Sequence, residues 1–206
     1  LIESEPIGKY LEELASGAPT PGGGAAAALT LGQAAALLSM VCHFTLGREK
    51  YQAAEKQIRA VLDHANGVRQ LALEAANADV KAYQGVRDAF ALPKPLAIRD
   101  NDRADAIERA LENAATVPWR LAEYCEQLHD QALALRPVCN QNLVSDVDVA
   151  LCLIQAAVGA LWINVDVNLK GMRNKAFGDG LKLKISNAMR RIRSFEPEPV
   201  RALLVG

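Results

Sequence analysis

Aromatic side chains are scarce in this chain, 5% of 206 residues, so alanine and leucine supply most of its apolar surface. Small side chains at that density let helices approach closely and let oligomers form. Lysine and arginine never gather into a block, and the formal net charge is −1. A nucleic-acid role therefore lacks its electrostatic footprint. The cysteines, Cys42, Cys125, Cys139 and Cys152, show no C-x-x-C spacing, and His43, His64 and His129 lack the spacing of metal ligands. Reduced thiols in a cytoplasmic protein without a bound metal are the expectation. No stretch alternates convincingly like a strand. The segment from Leu1 to Ser16 carries Glu3, Glu5, Glu12 and Glu13 where a signal peptide would be basic.

What is present is helical periodicity almost throughout. It predicts an all-α chain, an up-and-down helical bundle of long helices forming one domain over 1–206. The length suffices for a proper core. A short helix is expected from Pro6 to Ser16, and a second from Pro21 to Leu46, ended by Gly47. A third runs from Glu49 to about Phe90, with Gly67 or Asn77 as the place for a bend. Leu92-Pro93-Lys94-Pro95 must be a loop, since two prolines so close cannot continue a helix. A fourth helix begins near Asp100 and runs to Thr116. Pro118 then either kinks it or starts a new helix, which ends before Pro137. Val138 to Leu143 reads as a polar loop. Ser145, with Asp148 three residues on, reads as a capping box for an apolar helix reaching Leu169. A last helix covers roughly Met172 to Arg193, and Glu196 to Pro199 is expected to be extended. Gly22 to Leu46 is uncharged and long enough to span a membrane. Its alanines and glycines, its Gln33, Ser39 and His43, and its lack of flanking aromatics favour a buried helix at the centre of a bundle or dimer.

Three places could carry chemistry. The first is the opening of the second helix. Thr20 suits the N-cap and Pro21 the first helical position. Gly22, Gly23 and Gly24 follow, each costing about 1 kcal/mol relative to alanine inside a helix. Glycines there leave backbone N–H groups uncovered at the positive end of the helix dipole, a seat for a carboxylate, carbonyl or phosphate. Close helix packing explains them equally well. The second is Asp79, the only charged member of the stripe Val68, Ala72, Ala75, Asp79, Ala82, Val86 and Ala89. A carboxylate facing the core is expensive, and burial moves its pKa towards that of a general acid or base. A structural Asp bonded to an Arg or to a helix N-terminus fits the same pattern. The third is the helix after Ser145. There Asn164 and Asn168 share an apolar face, with Asn140, Ser145 and Asp146 upstream. Buried amides need partners, and another helix is favoured over a ligand.

In order, Ala18-Pro19-Thr20-Pro21-Gly22-Gly23-Gly24 is followed by Met40-Val41 with Thr45, Gly47 and Tyr51, then Asp79, Ala82 and Tyr83. Leu92-Pro93-Lys94, Arg103, Val117-Pro118, Asn140, Ser145-Asp146 and Asn164 to Leu169 complete the series. From about Ile7 to Phe177 it resembles the cyclodeaminase/cyclohydrolase family of folate enzymes. That family includes the C-terminal half of formiminotransferase-cyclodeaminase and standalone bacterial methenyltetrahydrofolate cyclohydrolases. Two departures are Ala25, where the family usually has serine, and Tyr83, where phenylalanine is common. A formiminotransferase half is absent from this sequence, which tilts the expectation away from a bifunctional histidine-degradation enzyme.

The resemblance implies an all-helical homodimer and a folate site with Asp79 at the position proposed for the catalytic carboxylate. The implied reactions are hydrolysis of 5,10-methenyltetrahydrofolate to 10-formyltetrahydrofolate and cyclisation of 5-formiminotetrahydrofolate with release of ammonia. A tetrahydrofolate derivative is then the substrate, with no permanently bound cofactor. Pro21, Gly22, Gly23 and Gly24 would receive a polar or anionic part of it. Lys94, Arg103, Arg48 and Lys50 would attract its glutamate tail. Asn140, Asp146, Asn164 and Asn168 would bond the pterin edge or hold the neighbouring helix. The competing class is a non-catalytic folate-binding or scaffold bundle.

Overall fold

Spacings of three and four between apolar residues become six α-helices among the described residues, with no strand between them. The structure is a computed structural model that describes residues 1–93, 101–193 and Glu196. The helices are α1 (Ile7–Leu14), α2 (Gly23–Thr45), α3 (Glu55–Ala91), α4 (Asn101–Leu135), α5 (Val144–Lys170) and α6 (Lys175–Arg193). Short 3-10 turns cover Ile2–Ser4, Glu49–Ala54 and Gln141–Leu143.

The four long helices form the bundle. Each of α2, α3 and α4 packs on its successor, α5 closes back onto α2, and α6 lies against α4 and α5. Contacts at the ends show the alternating direction. Asp79, late in α3, meets Gly24 at the start of α2. The Arg103 guanidinium, early in α4, donates to the carbonyls of Phe90 and Leu92 at the end of α3. Arg136, just beyond α4, grips Asp148 in the second turn of α5 at 2.8 and 3.1 Å. Leu31, Leu38, Ile58, Leu128, Leu135, Leu151, Ile154 and Leu161 fill the centre and are fully buried. Alanine holds many of the remaining core positions, so the backbones sit close. A β-carbon added to Gly32 of α2 would lie 3.3 Å from Ala72 of α3.

Several boundaries differ from expectation for local reasons. The second helix starts at Gly23, with Gly22 in extended conformation as its N-cap and without a side chain of its own to cap it. Thr20 and Pro21 precede it, joined by a cis peptide. The segment Glu49–Ala54 is a 3-10 turn, and α3 proper runs unbroken across Gly67 and Asn77. Pro118 neither ends α4 nor starts another helix; it lies inside one. Ser145 caps nothing, because α5 already begins at Val144, and Asp148 is engaged by Arg136 instead. The last helix starts at Lys175, after a turn in which Glu108 of α4 accepts the N–H groups of Arg173 and Asn174 at 2.8 and 2.7 Å. Lys94 and Pro95 of the expected loop and the tail from Pro197 lie outside the described residues.

Both α2 and the segment Gln141–Lys170 are long and apolar enough to cross a membrane, each with mean hydropathy 1.7. Each also contributes a large share of the bundle core.

Candidate active site

Asp79 enters the interior because every other member of its stripe on α3 is apolar. Those neighbours are all buried or half-buried, so the helix face that anchors α3 carries the carboxylate inward with it. There the carboxylate reaches the open start of α2 and accepts the N–H of Ala25, the third residue of that helix. It thus supplies the capping acceptor that the N-cap Gly22 has no side chain to provide. Burial raises its pKa above the usual carboxylate value, and the Ala25 hydrogen bond opposes part of that rise.

The three glycines have different roles. A β-carbon on Gly24 would lie 2.0 Å from Asp79 Oδ1 and 2.4 Å from Cγ. No side chain fits there while the carboxylate keeps its place. On Gly23 it would meet the Asn164 amide at 3.6 Å, an ordinary contact, and on Gly22 only the Pro19 carbonyl at 3.9 Å.

Around this meeting point lies a cavity of about 240 Å³. Pro19, Thr20 and Gly22 to Gly24 form one wall and Asp79, Ala82, Tyr83 and Val86 of α3 a second. Ala114 of α4 with Asn164, Val167 and Asn168 of α5 closes it. Among its described lining residues Asp79 is the only charged side chain. The pocket therefore offers a carboxylate, the polar start of a helix, two amides and the Tyr83 phenol, with no cation among the described lining residues.

Of the residues singled out in the sequence, Gly22, Gly23, Gly24, Asp79, Asn164 and Asn168 come together here. Pro21 lies beside them and lines an adjoining cavity with Glu5, Glu13, Asn77 and Lys81. Five others are placed elsewhere. Arg103 is engaged at the end of α3 by the Phe90 and Leu92 carbonyls, each at 3.0 Å. Asn140 donates its N–H to Thr45 Oγ1 and caps the turn Gln141–Leu143. Asp146 is in the first turn of α5, eighteen residues and about 27 Å of helix from Asn164. Arg48 and Lys50 follow the far end of α2, and the Lys50 ammonium lies over the Tyr51 ring. Lys94 lies outside the described residues. Thr20, Tyr83, Ala114 and Val167 line the cavity without having been singled out as site residues. Tyr83 stands one turn beyond Asp79 and was within reach of the stripe argument. Ala114 and Val167 carry no chemical signal that distinguishes them from other apolar helix residues.

Known proteins resemble this chain over most of its length. A family model described as formiminotransferase-cyclodeaminase matches residues 6–187. A methenyltetrahydrofolate cyclohydrolase of Methylorubrum extorquens is 38% identical over 176 residues, 85% of each chain. The formimidoyltransferase-cyclodeaminase of Mus musculus is 28% identical over 185 residues, which are 90% of this chain and 34% of that protein. This chain therefore spans about a third of such longer relatives. The crystal structure of a formiminotetrahydrofolate cyclodeaminase from Thermotoga maritima superposes with a TM-score of 0.81 at 23% identity, covering 99% of this chain and all of that one, and so shares its fold. The order of motifs, the helical bundle and the extent of the family match lead to one conclusion: the chain belongs to the formiminotransferase-cyclodeaminase family.

Proposed function

We propose that this protein hydrolyses 5,10-methenyltetrahydrofolate to 10-formyltetrahydrofolate, with cyclisation of 5-formiminotetrahydrofolate as a second activity of the same site. The observation that carries the reading is Asp79, the only charged side chain among the described residues that line the pocket. The methenyl substrate carries a delocalised positive charge over N5, the bridging carbon and N10. A carboxylate in a partly desolvated cavity attracts and orients that cation. Water then adds to the bridging carbon and Asp79 takes its proton. The bond from that carbon to N5 breaks, N5 recovers the proton, and the formyl group stays on N10. One water is consumed and one proton is released overall. A carboxylate whose pKa is raised by burial takes and returns a proton more readily near neutral pH than an exposed one. In the deaminase reaction N10 attacks the formimino carbon on N5 and Asp79 protonates the departing ammonia. Cyclohydrolase as the main activity is supported by the Methylorubrum relative, which at 38% identity over 85% of its own length is more similar to this chain than the Mus musculus protein at 28%.

The substrate is a tetrahydrofolate derivative that carries a one-carbon unit, with no permanently bound cofactor. The protein works as a homodimer in the cytoplasm, apart from nucleic acid and membrane. The free cysteines, the near-zero net charge and the burial of half or so of each long apolar helix window support these parts of the reading.

Asp79→Asn keeps the size of the side chain and an acceptor for the Ala25 N–H but cannot hold a proton at that oxygen. Its turnover of methenyltetrahydrofolate, followed by loss of absorbance, should fall by about 10²–10⁴-fold while the fold persists. Near-normal activity in the folded variant would remove the catalytic role. A wild-type protein that binds folate without converting either substrate would establish the scaffold alternative.

A further inference from the structure

Pro118 lies in the interior of α4, where a proline is unfavourable because it has no N–H and its ring crowds the carbonyl four residues back. That carbonyl belongs to Ala114, and Ala114 lines the pocket. It is not left bare, because Asn168 Nδ2 of α5 donates to it at 3.3 Å. The same nitrogen donates to the Asn164 carbonyl at 2.8 Å. Two carbonyl oxygens around one amide nitrogen settle the orientation of that amide, since only the NH2 end can satisfy both. With both hydrogens committed, Oδ1 is the polar atom Asn168 has to offer. Asn168 itself lines the pocket.

We propose that Pro118 is a positioning residue for this site: by releasing the Ala114 carbonyl from the α4 ladder it clamps Asn168, whose Oδ1 then serves as an acceptor for a ring N–H of the substrate. A tetrahydropterin presents amide and amine N–H groups along one edge, which is the chemistry a fixed carbonyl acceptor recognises. The inference rests on the folate reading above for the identity of the donor, while the clamp itself is a property of the protein alone. It also gives the inward proline a purpose that the packing of α4 does not supply, since a helix former would hold the same course at lower cost.

The test is Pro118→Ala, which restores an N–H four residues after Ala114 and so competes with Asn168 for its carbonyl. Thermal stability should be equal or higher, because alanine is the better helix residue. The KM for methenyltetrahydrofolate should rise about five- to tenfold, the cost of one lost hydrogen bond, with kcat little changed. In an Asn168→Ala background the same change should add nothing further to KM. Asn168→Asp, which keeps the shape and loses both N–H donors, should raise KM with Pro118 in place. In 15N-labelled protein the side-chain amide of Asn168 should exchange faster in Pro118→Ala than in the wild type. That readout needs no substrate, whereas failure of the folate reading would appear as absent turnover in the wild type. An unchanged exchange rate, an unchanged KM in active enzyme, or an equal KM increase with and without Asn168 would each overturn the proposal.

Discussion

At the scale of single residues, the start of α2 and Asp79 form one unit. Gly24 is the residue that permits it, because a β-carbon there would overlap the carboxylate, 2.0 Å from Oδ1. Gly24→Ala must expel Asp79 from its seat or distort the helix start. It should lower kcat/KM by about 10²-fold or more, of the order expected when a catalytic base is lost. Gly22→Ala, with no atom nearer than 3.9 Å, should keep most of the activity. Parallel assays with circular dichroism check the pair, and equal activities would contradict the assigned difference. Asp79 also leaves a mark on stability. Its folded pKa is raised, so between its unfolded and folded values the native state binds more protons than the unfolded chain. Stability contributed by this group therefore falls as pH rises through that window. Urea titrations should show the wild type gaining on Asp79→Asn as pH is lowered, and the opposite trend would contradict the burial. The carboxylate was legible in the sequence because one charge in an apolar stripe stands out. Its role as cap and candidate catalyst together was not, since a helix start and a pocket ask for the same acceptor.

At the scale of elements, polar residues near helix ends were the hardest to assign. Arg103, Asn140 and Asp148 all close helix termini or link neighbouring helices. From sequence, the first two suited a ligand and the third a local capping box, because the bonds that occupy them join one element to another rather than following helix spacing. Apolar periodicity did give the helices, and even Pro118 disturbed only their count, because an amide on α5 covers the carbonyl it frees. Glu108 is the clearest bond of this type. From α4 it accepts the backbone N–H groups of Arg173 and Asn174 ahead of α6 and pairs with the Arg173 guanidinium. Those N–H groups, with the cation beside them, hold its pKa below the usual glutamate value. The sign is opposite to that of Asp79, so its stabilisation is present above the unfolded pKa and is lost as pH falls through the folded one. Glu108→Gln should cost about 1 kcal/mol at neutral pH, the usual cost of a lost cap. The difference from wild type should shrink in acid, as measured by chemical denaturation at both pH values. A constant difference would show that the charge on Glu108 contributes nothing.

At the scale of the molecule, the two most apolar helices keep uncovered faces. On α2 Ala36 and Phe44 are exposed, with Leu29, Leu37 and Met40 half-buried beside them. On α5 Val149, Ile163 and Val167 are exposed to between 50% and 63%. Next to α2 a groove of about 580 Å³ runs beneath Tyr10, Leu11 and Leu14 of α1, and α1 itself buries no residue fully. No Asp, Glu, Lys or Arg lies anywhere in α2. A face that is long and uncharged matches a second copy of itself without a charge clash, which is what a two-fold interface requires. This is the physical content of the homodimer proposed above, and it also explains why composition alone made the same segment resemble a membrane span. Equilibrium sedimentation should give twice the 22.1 kDa chain mass at micromolar concentration. Ala36→Glu with Phe44→Glu, at positions already exposed to water, should leave the helical content intact and shift the protein towards the single-chain mass. A wild type that sediments at the single-chain mass under the same conditions would sink the dimer. A dimer that survives both charges but yields to Ile163→Glu would move the interface from α2 to α5.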